Sequence, residues 1–146
     1  MVATMSKTYY IAGPMSGVPL MNFPMFDEAR DAVISMMCDA ISPADIDRAN
    51  GITDDMLPTT PEEEEIFMRD FDTRIVARRD VLAIIDQCDG IVMLPNWSQS
   101  KGARAEHALA VWLQLDIVYY YQGQFLKENP EISIWKQNPD KLQENV

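Results

Sequence analysis

The chain has 146 residues, 47% of them hydrophobic, which is enough for one domain with a buried core. Its 23 acidic and 12 basic residues leave a net charge of −11, so a polyphosphate backbone would find no basic stripe to dock on. DNA and RNA are therefore not expected partners, whereas a small anion is admissible, because a few backbone N–H groups can seat one phosphate inside an acidic protein.

The first predicted element is a strand over Lys7–Ala12, an aromatic and β-branched run stopped by Gly13-Pro14. A glycine-bearing loop leads to a helix for which Asn22 is the expected N-cap and Phe26, Ala29 and Val33 the spaced apolar residues. Ala40–Ser42 is a short second strand. The segment from Pro43 to Pro61 is rich in turn residues and reads as a long polar connection. Thr60-Pro61 followed by glutamates opens a helix, and the pattern runs on toward Cys88 with Phe67, Phe71, Ile75 and Leu82 on one face. Val81, Ile84, Ile85 and Cys88 form an apolar stripe in its last part.

Gly90–Leu94 is a continuous apolar run of the kind found in buried parallel strands. An alanine-rich helix follows the polar loop NWSQSKG, and Asp116–Tyr121 is a further strand. Residues 122–146 read as a polar C-terminal extension of a single domain spanning 1–146, with Phe125 and Trp135 available to cap the core or meet a neighbour. Strands alternating with helices predict a three-layer α/β fold with a mostly parallel sheet, its ligand crevice beyond the carboxyl ends of the strands.

On a helical wheel, Ala105, Ala108, Leu109 and Trp112 form the expected buried stripe of the alanine-rich helix, with Glu106 at its edge and His107, the chain's one histidine, turned to solvent. Ser98, Ser100 and Gly102 precede or open that helix. They offer hydroxyls and free N–H groups of the kind that seat a phosphate, although serine also caps helices and glycine is common in loops. Asp80, Asp86 and Asp89 are candidate partners for Glu106 in two-carboxylate glycoside chemistry. Asp45, Asp47 and Asn50 can hydrogen-bond a base or sugar from the polar connection, or simply be solvated.

Cys38 and Cys88 lack metal-ligand spacing and are expected as reduced core thiols, and ten scattered methionines as core filling. No metal or cofactor is expected. The opening MVATMSKTYY carries no apolar leader, and no run nears the eighteen or so residues of a membrane span, so a cytoplasmic protein without a membrane partner is expected.

Five ordered blocks, YIAGPMSG, NFPMFDEA, SPADID, RRDVLAIIDQCDGIVMLPNW and SKGARAEHALA, resemble the DUF4406 family of small phage and bacterial proteins. That family looks related to the nucleoside 2-deoxyribosyltransferase superfamily, which includes nucleotide N-glycosidases. The resemblance implies a Rossmann- or flavodoxin-like fold and cleavage of the bond between a base and C1′ of a sugar, in the host cytoplasm if phage-encoded. It implies Glu106 as nucleophile, Tyr10 as the residue orienting it, and Asp80 as the group handling the leaving base and holding a proton near neutral pH. Gly13, Ser16, Ser100 and Gly102 fall in the substrate-binding blocks, Ser100 where a serine favours a nucleoside 5′-monophosphate. Arg104 stands where the superfamily has a glycine. A homo-oligomer is also implied. The competing expectation is a nucleotide-binding or sequestering module without catalysis. A flavin-binding protein is disfavoured by the prolines of GPMSGVP, which remove donors from a phosphate-wrapping loop.

Overall fold

Threonine, two tyrosines and an isoleucine in succession favour extended backbone, and Thr8–Ala12 forms β1. The computed structural model describes residues 6–131. β2 (Asp39–Ile41), β3 (Gly90–Met93), β4 (Asp116–Tyr121) and β5 (Gln124–Leu126) join β1 in one sheet ordered β2-β1-β3-β4-β5. The first four strands are parallel, with Tyr10 opposite Ile41 and Ile91, and Met93 opposite Tyr119; β5 is antiparallel to β4. Glycine is required at the foot of β3, because a Cβ on Gly90 would collide with the Tyr9 ring and would lie 2.8 Å from the Asp116 carbonyl.

The helices are α1 (Phe23–Ser35), α2 (Pro43–Ala49), α3 (Pro61–Phe67), α4 (Thr73–Gln87) and α5 (Lys101–Trp112). Side chains alternate across each strand, so Ile11, Val92 and Tyr120 pack with Phe23, Phe26, Ala29 and Val33 of α1. Tyr10, Ile91, Met93 and Tyr119 face the other way, against Ile84, Ala103 and Ala110 of α4 and α5. These are the three layers expected. No helix among the described residues is long and apolar enough to cross a membrane.

Several boundaries differ from the sequence reading, each for a local reason. The stretch after Pro43 is not a plain loop: Ser42 accepts from Ala44 N–H and Pro43 takes the first helical position, which starts α2. Its charges also make a lattice with α1, Arg48 bonding Asp27, Asp45 and Asp54 while Arg30 reaches Asp45. The helix expected to run from Thr60 to Cys88 is two helices, because Asp72 accepts from the N–H groups of Arg74 and Ile75 and begins α4 afresh. Thr60 caps α3 as expected, accepting from Glu63 N–H. Asn22 stands at the N-cap position of α1, but its side chain donates to Pro14 O and makes no cap bond.

The expected apolar face of the α4 region is turned outward: Phe71, Ile75 and Leu82 are 45%, 67% and 43% exposed, and the buried stripe is Asp80, Ala83 and Ile84. β5 appears where a polar extension was expected. Gln122 and Gly123 both take positive φ, the two-residue turn whose twist suits a hairpin, and the Phe125 ring then packs, tilted, against Tyr120 with 5.3 Å between centroids within the same chain. Trp135 lies outside the described residues.

Candidate active site

Beyond the carboxyl ends of β1 and β3, a cavity of about 550 Å³ opens between the β1–α1 loop, α4 and the start of α5. Its volume suits a small organic ligand. Its place is the switch point of the sheet, where α1 leaves β1 on one face and α4 returns on the other.

Tyr10, Asp80 and Glu106 meet in this cavity. Strand alternation aims Tyr10 at the α4–α5 layer, where its ring is 1% exposed and its hydroxyl bonds Glu106. Burial pushes the Glu106 carboxyl up to about 8; the Tyr10 bond opposes the rise and the Asp80 charge adds to it. Tyr10 is itself held well above the usual phenol range, by burial first and then by Glu106 and Asp80. Asp80, 9% exposed, reaches the same space from the sheet-facing stripe of α4.

The cavity wall also includes Gly13, Ser16, Ser100 and Gly102. Gly13 is glycine for steric reasons: a Cβ there would approach Leu94 Cβ to 2.6 Å, so the loop can lie against the end of β3 only without one. Ser100 accepts from Ala103 N–H at 3.2 Å as the cap of α5, which leaves its own hydroxyl proton free to donate into the cavity. A Cβ on Gly102 would meet nothing within 4 Å. Lys101, Gln99, Thr73, Met68 and Phe71 line the cavity as well and were missed in the sequence, since no spacing marks them.

Other candidates lie elsewhere. Ser98 does not line the cavity; its N–H donates to Glu131 Oε1 at 3.1 Å, its hydroxyl bonds the same oxygen, and Asn96 N–H donates to Oε2 at 3.0 Å. Glu131, 8% exposed and also bonded by the Tyr121 hydroxyl, thus fills the donor nest that a ligand anion would need there. Asp45 accepts from Arg30 at 2.7 Å and Arg48 at 2.9 Å, off the cavity wall. Arg104 is also off the wall, because two residues from Glu106 is about 200° around the helix. Asp89 accepts from Thr8 N–H at 2.9 Å, at the opposite end of the strands, and Asp86 is exposed.

His107 is not turned to solvent. It stacks on Trp97 at 4.2 Å between ring centroids and its Nε2 lies 2.9 Å from the Tyr119 hydroxyl, with burial holding its pKa below the usual imidazole range. The stripe of α5 that meets the sheet is Ala103, Glu106, His107 and Ala110. Of the expected alanine–leucine–tryptophan stripe, Leu109 packs against this core and Ala105 lines the cavity, while Ala108 and Trp112 face out, Trp112 being 81% exposed.

Fold and site together define a doubly wound α/β protein with a carboxyl-bearing pocket at its switch point. The chain belongs to the family described as domain of unknown function DUF4406, whose model matches residues 7–119. That span takes in Tyr10, Asp80 and Glu106 together. No curated protein matches the chain.

Proposed function

We propose that the protein cleaves the N-glycosidic bond of a nucleoside or deoxynucleoside 5′-monophosphate, with Glu106 as nucleophile, as a member of the nucleoside 2-deoxyribosyltransferase superfamily. The observation that carries this reading is the convergence of Tyr10, Asp80 and Glu106 in one cavity at the strand ends, with Ser100 and Gly102 at the adjoining helix start. Ionised Glu106 attacks C1′ through an oxocarbenium-like transition state as the base departs, and forms a glycosyl ester. Tyr10 steers the attacking oxygen. Water resolves the ester in hydrolysis, a second base in transfer. The Ser100 hydroxyl, the first N–H groups of α5 and the Lys101 ammonium suit the 5′-phosphate.

One observation favours a rival, a nucleotide-binding module without catalysis: a carboxyl pushed up to about 8 is mostly protonated at neutral pH and then a poor nucleophile. The two readings separate on Glu106, which catalysis requires and binding does not. A panel of ribo- and deoxyribonucleoside monophosphates, modified bases included, incubated with and without an acceptor base and followed by chromatography, tests this. Free base from the wild type and none from Glu106→Ala is the expected result. Nucleotide binding by both proteins without base release by either would leave the binding module.

The same reading makes the protein a cytoplasmic homo-oligomer. Its support is the outward apolar surface of α4 and α5, where Ile75, Leu82, Ile85 and Trp112 stand 43% to 81% exposed beside the cavity-lining turns.

A further inference from the structure

Asp80 does not enter the cavity unaccompanied. Arg79 donates from Nε to Asp80 Oδ1 at 2.8 Å and from Nη1 to Asp47 Oδ1 at 2.8 Å, tying α4 to α2. The three side chains are only 25%, 12% and 18% exposed, so solvent screens this chain of charges weakly. Among the described residues Asp80 accepts a hydrogen bond through Oδ1 alone, and Asp80 lines the cavity.

We infer that Arg79 is a positioning residue that decides where the pocket's proton sits: bridging Asp47 and Asp80, it keeps Asp80 as the anion and leaves the proton on Glu106 in the empty site. Two carboxyls facing one low-dielectric space do not both ionise cheaply. The one bonded to a guanidinium holds the charge. Glu106 has the Tyr10 hydroxyl in place of a cation and is pushed up to about 8. The charged and titratable groups around the pair are Tyr10 from β1, Asp47 from α2, Arg79 from α4 and Lys101 from α5. Burial also raises Asp47, against the pull of Arg79. The sequence expectation placed that proton on Asp80 instead.

The kinetic consequence rests on the glycosidase reading. One proton shared by two carboxyls is sufficient for turnover. A base docked on Asp80 Oδ2 presents a hydrogen-bond donor, an amino group or a ring N–H, to an anionic acceptor. Glu106 yields its proton by way of Asp80 and attacks C1′. The C1′–N bond breaks with its electron pair on the base nitrogen, and that nitrogen takes the proton. Hydrolysis of the ester adds one water, its hydroxyl to the sugar and its hydrogen back to Glu106.

Carboxyl ¹³C NMR of Asp- and Glu-labelled protein, titrated without substrate, tests the role without relying on turnover. In the wild type the Glu106 midpoint is expected near 8. In Arg79→Gln the Glu106 midpoint falls by on the order of one pH unit, and Arg79→Lys restores most of the wild-type value. Asp80→Asn also lowers the Glu106 midpoint, which keeps the test decisive should Arg79→Gln fail to fold. An unchanged Glu106 midpoint in folded Arg79→Gln or Asp80→Asn would overturn the role. Failure of base release with these midpoints as described would overturn the glycosidase reading and leave the role of Arg79 standing.

Discussion

At position 106 the chain places a carboxyl where burial opposes ionisation, and pushes it from 4.5 up to about 8. Between those values the folded protein binds a proton that the unfolded chain has released, so this residue's contribution to stability falls as pH rises across that window and is constant above it. Glu106→Gln cannot ionise and escapes the penalty. Its advantage over wild type should be small near pH 5 and grow toward about 5 kcal/mol above pH 8, at about 1.4 kcal/mol per tenfold in proton affinity. Thermal melts of both proteins from pH 5 to 9 measure it. A difference that stays flat with pH would contradict the burial argument. A residue that destabilises the fold where it meets a cavity is the pattern expected of a site kept for function.

At the scale of the element, the start of α5 is the informative piece. A glycine in the first turn of a helix costs about 1 kcal/mol against alanine, and nothing crowds Gly102 to require it. Gly102 lines the cavity beside Ser100, so its missing Cβ is explained if the proposed phosphate lies against this turn. Gly102→Ala should therefore raise stability by up to about 1 kcal/mol while raising KM for the nucleotide, measured by denaturant titration and by kinetics. Gain of stability with unaltered binding would remove Gly102 from the seat. What could be read in the sequence follows the same logic. The strands and the α5 cap were legible because Thr8–Ala12, Gly90–Met93, Asp116–Tyr121 and Ser100 carry local signals. The facing of α4 and α5 was legible only in part: Ile84, Cys88 and Leu109 meet the core as expected, while Ile75, Leu82, Ile85 and Trp112 face out, because apolar residues occur on both sides of each helix and only the sheet decides which side is covered. Ser98 and His107 were misplaced for a similar reason: their partners, Glu131, Trp97 and Tyr119, are 10 to 33 residues away or across the sheet. The Arg79 bridge to Asp47 likewise spans 32 residues, and no spacing announces it.

For the whole molecule, the assembly of copies proposed above would cover the apolar residues that α4 and α5 leave exposed. Light scattering across a concentration series should show a dimer or larger for the wild type, and Trp112→Glu should shift it toward monomer. A wild type monomeric at all concentrations would contradict the assembly. The central claim, a covalent bond between Glu106 and a sugar carbon, is tested most directly by acid-quenching the protein during incubation with its nucleotide and reading intact and peptide masses. A sugar-phosphate adduct on the peptide carrying Glu106, absent from Glu106→Ala, is the predicted result. Base release with no adduct at any quench time, or with an adduct on another residue, would contradict it.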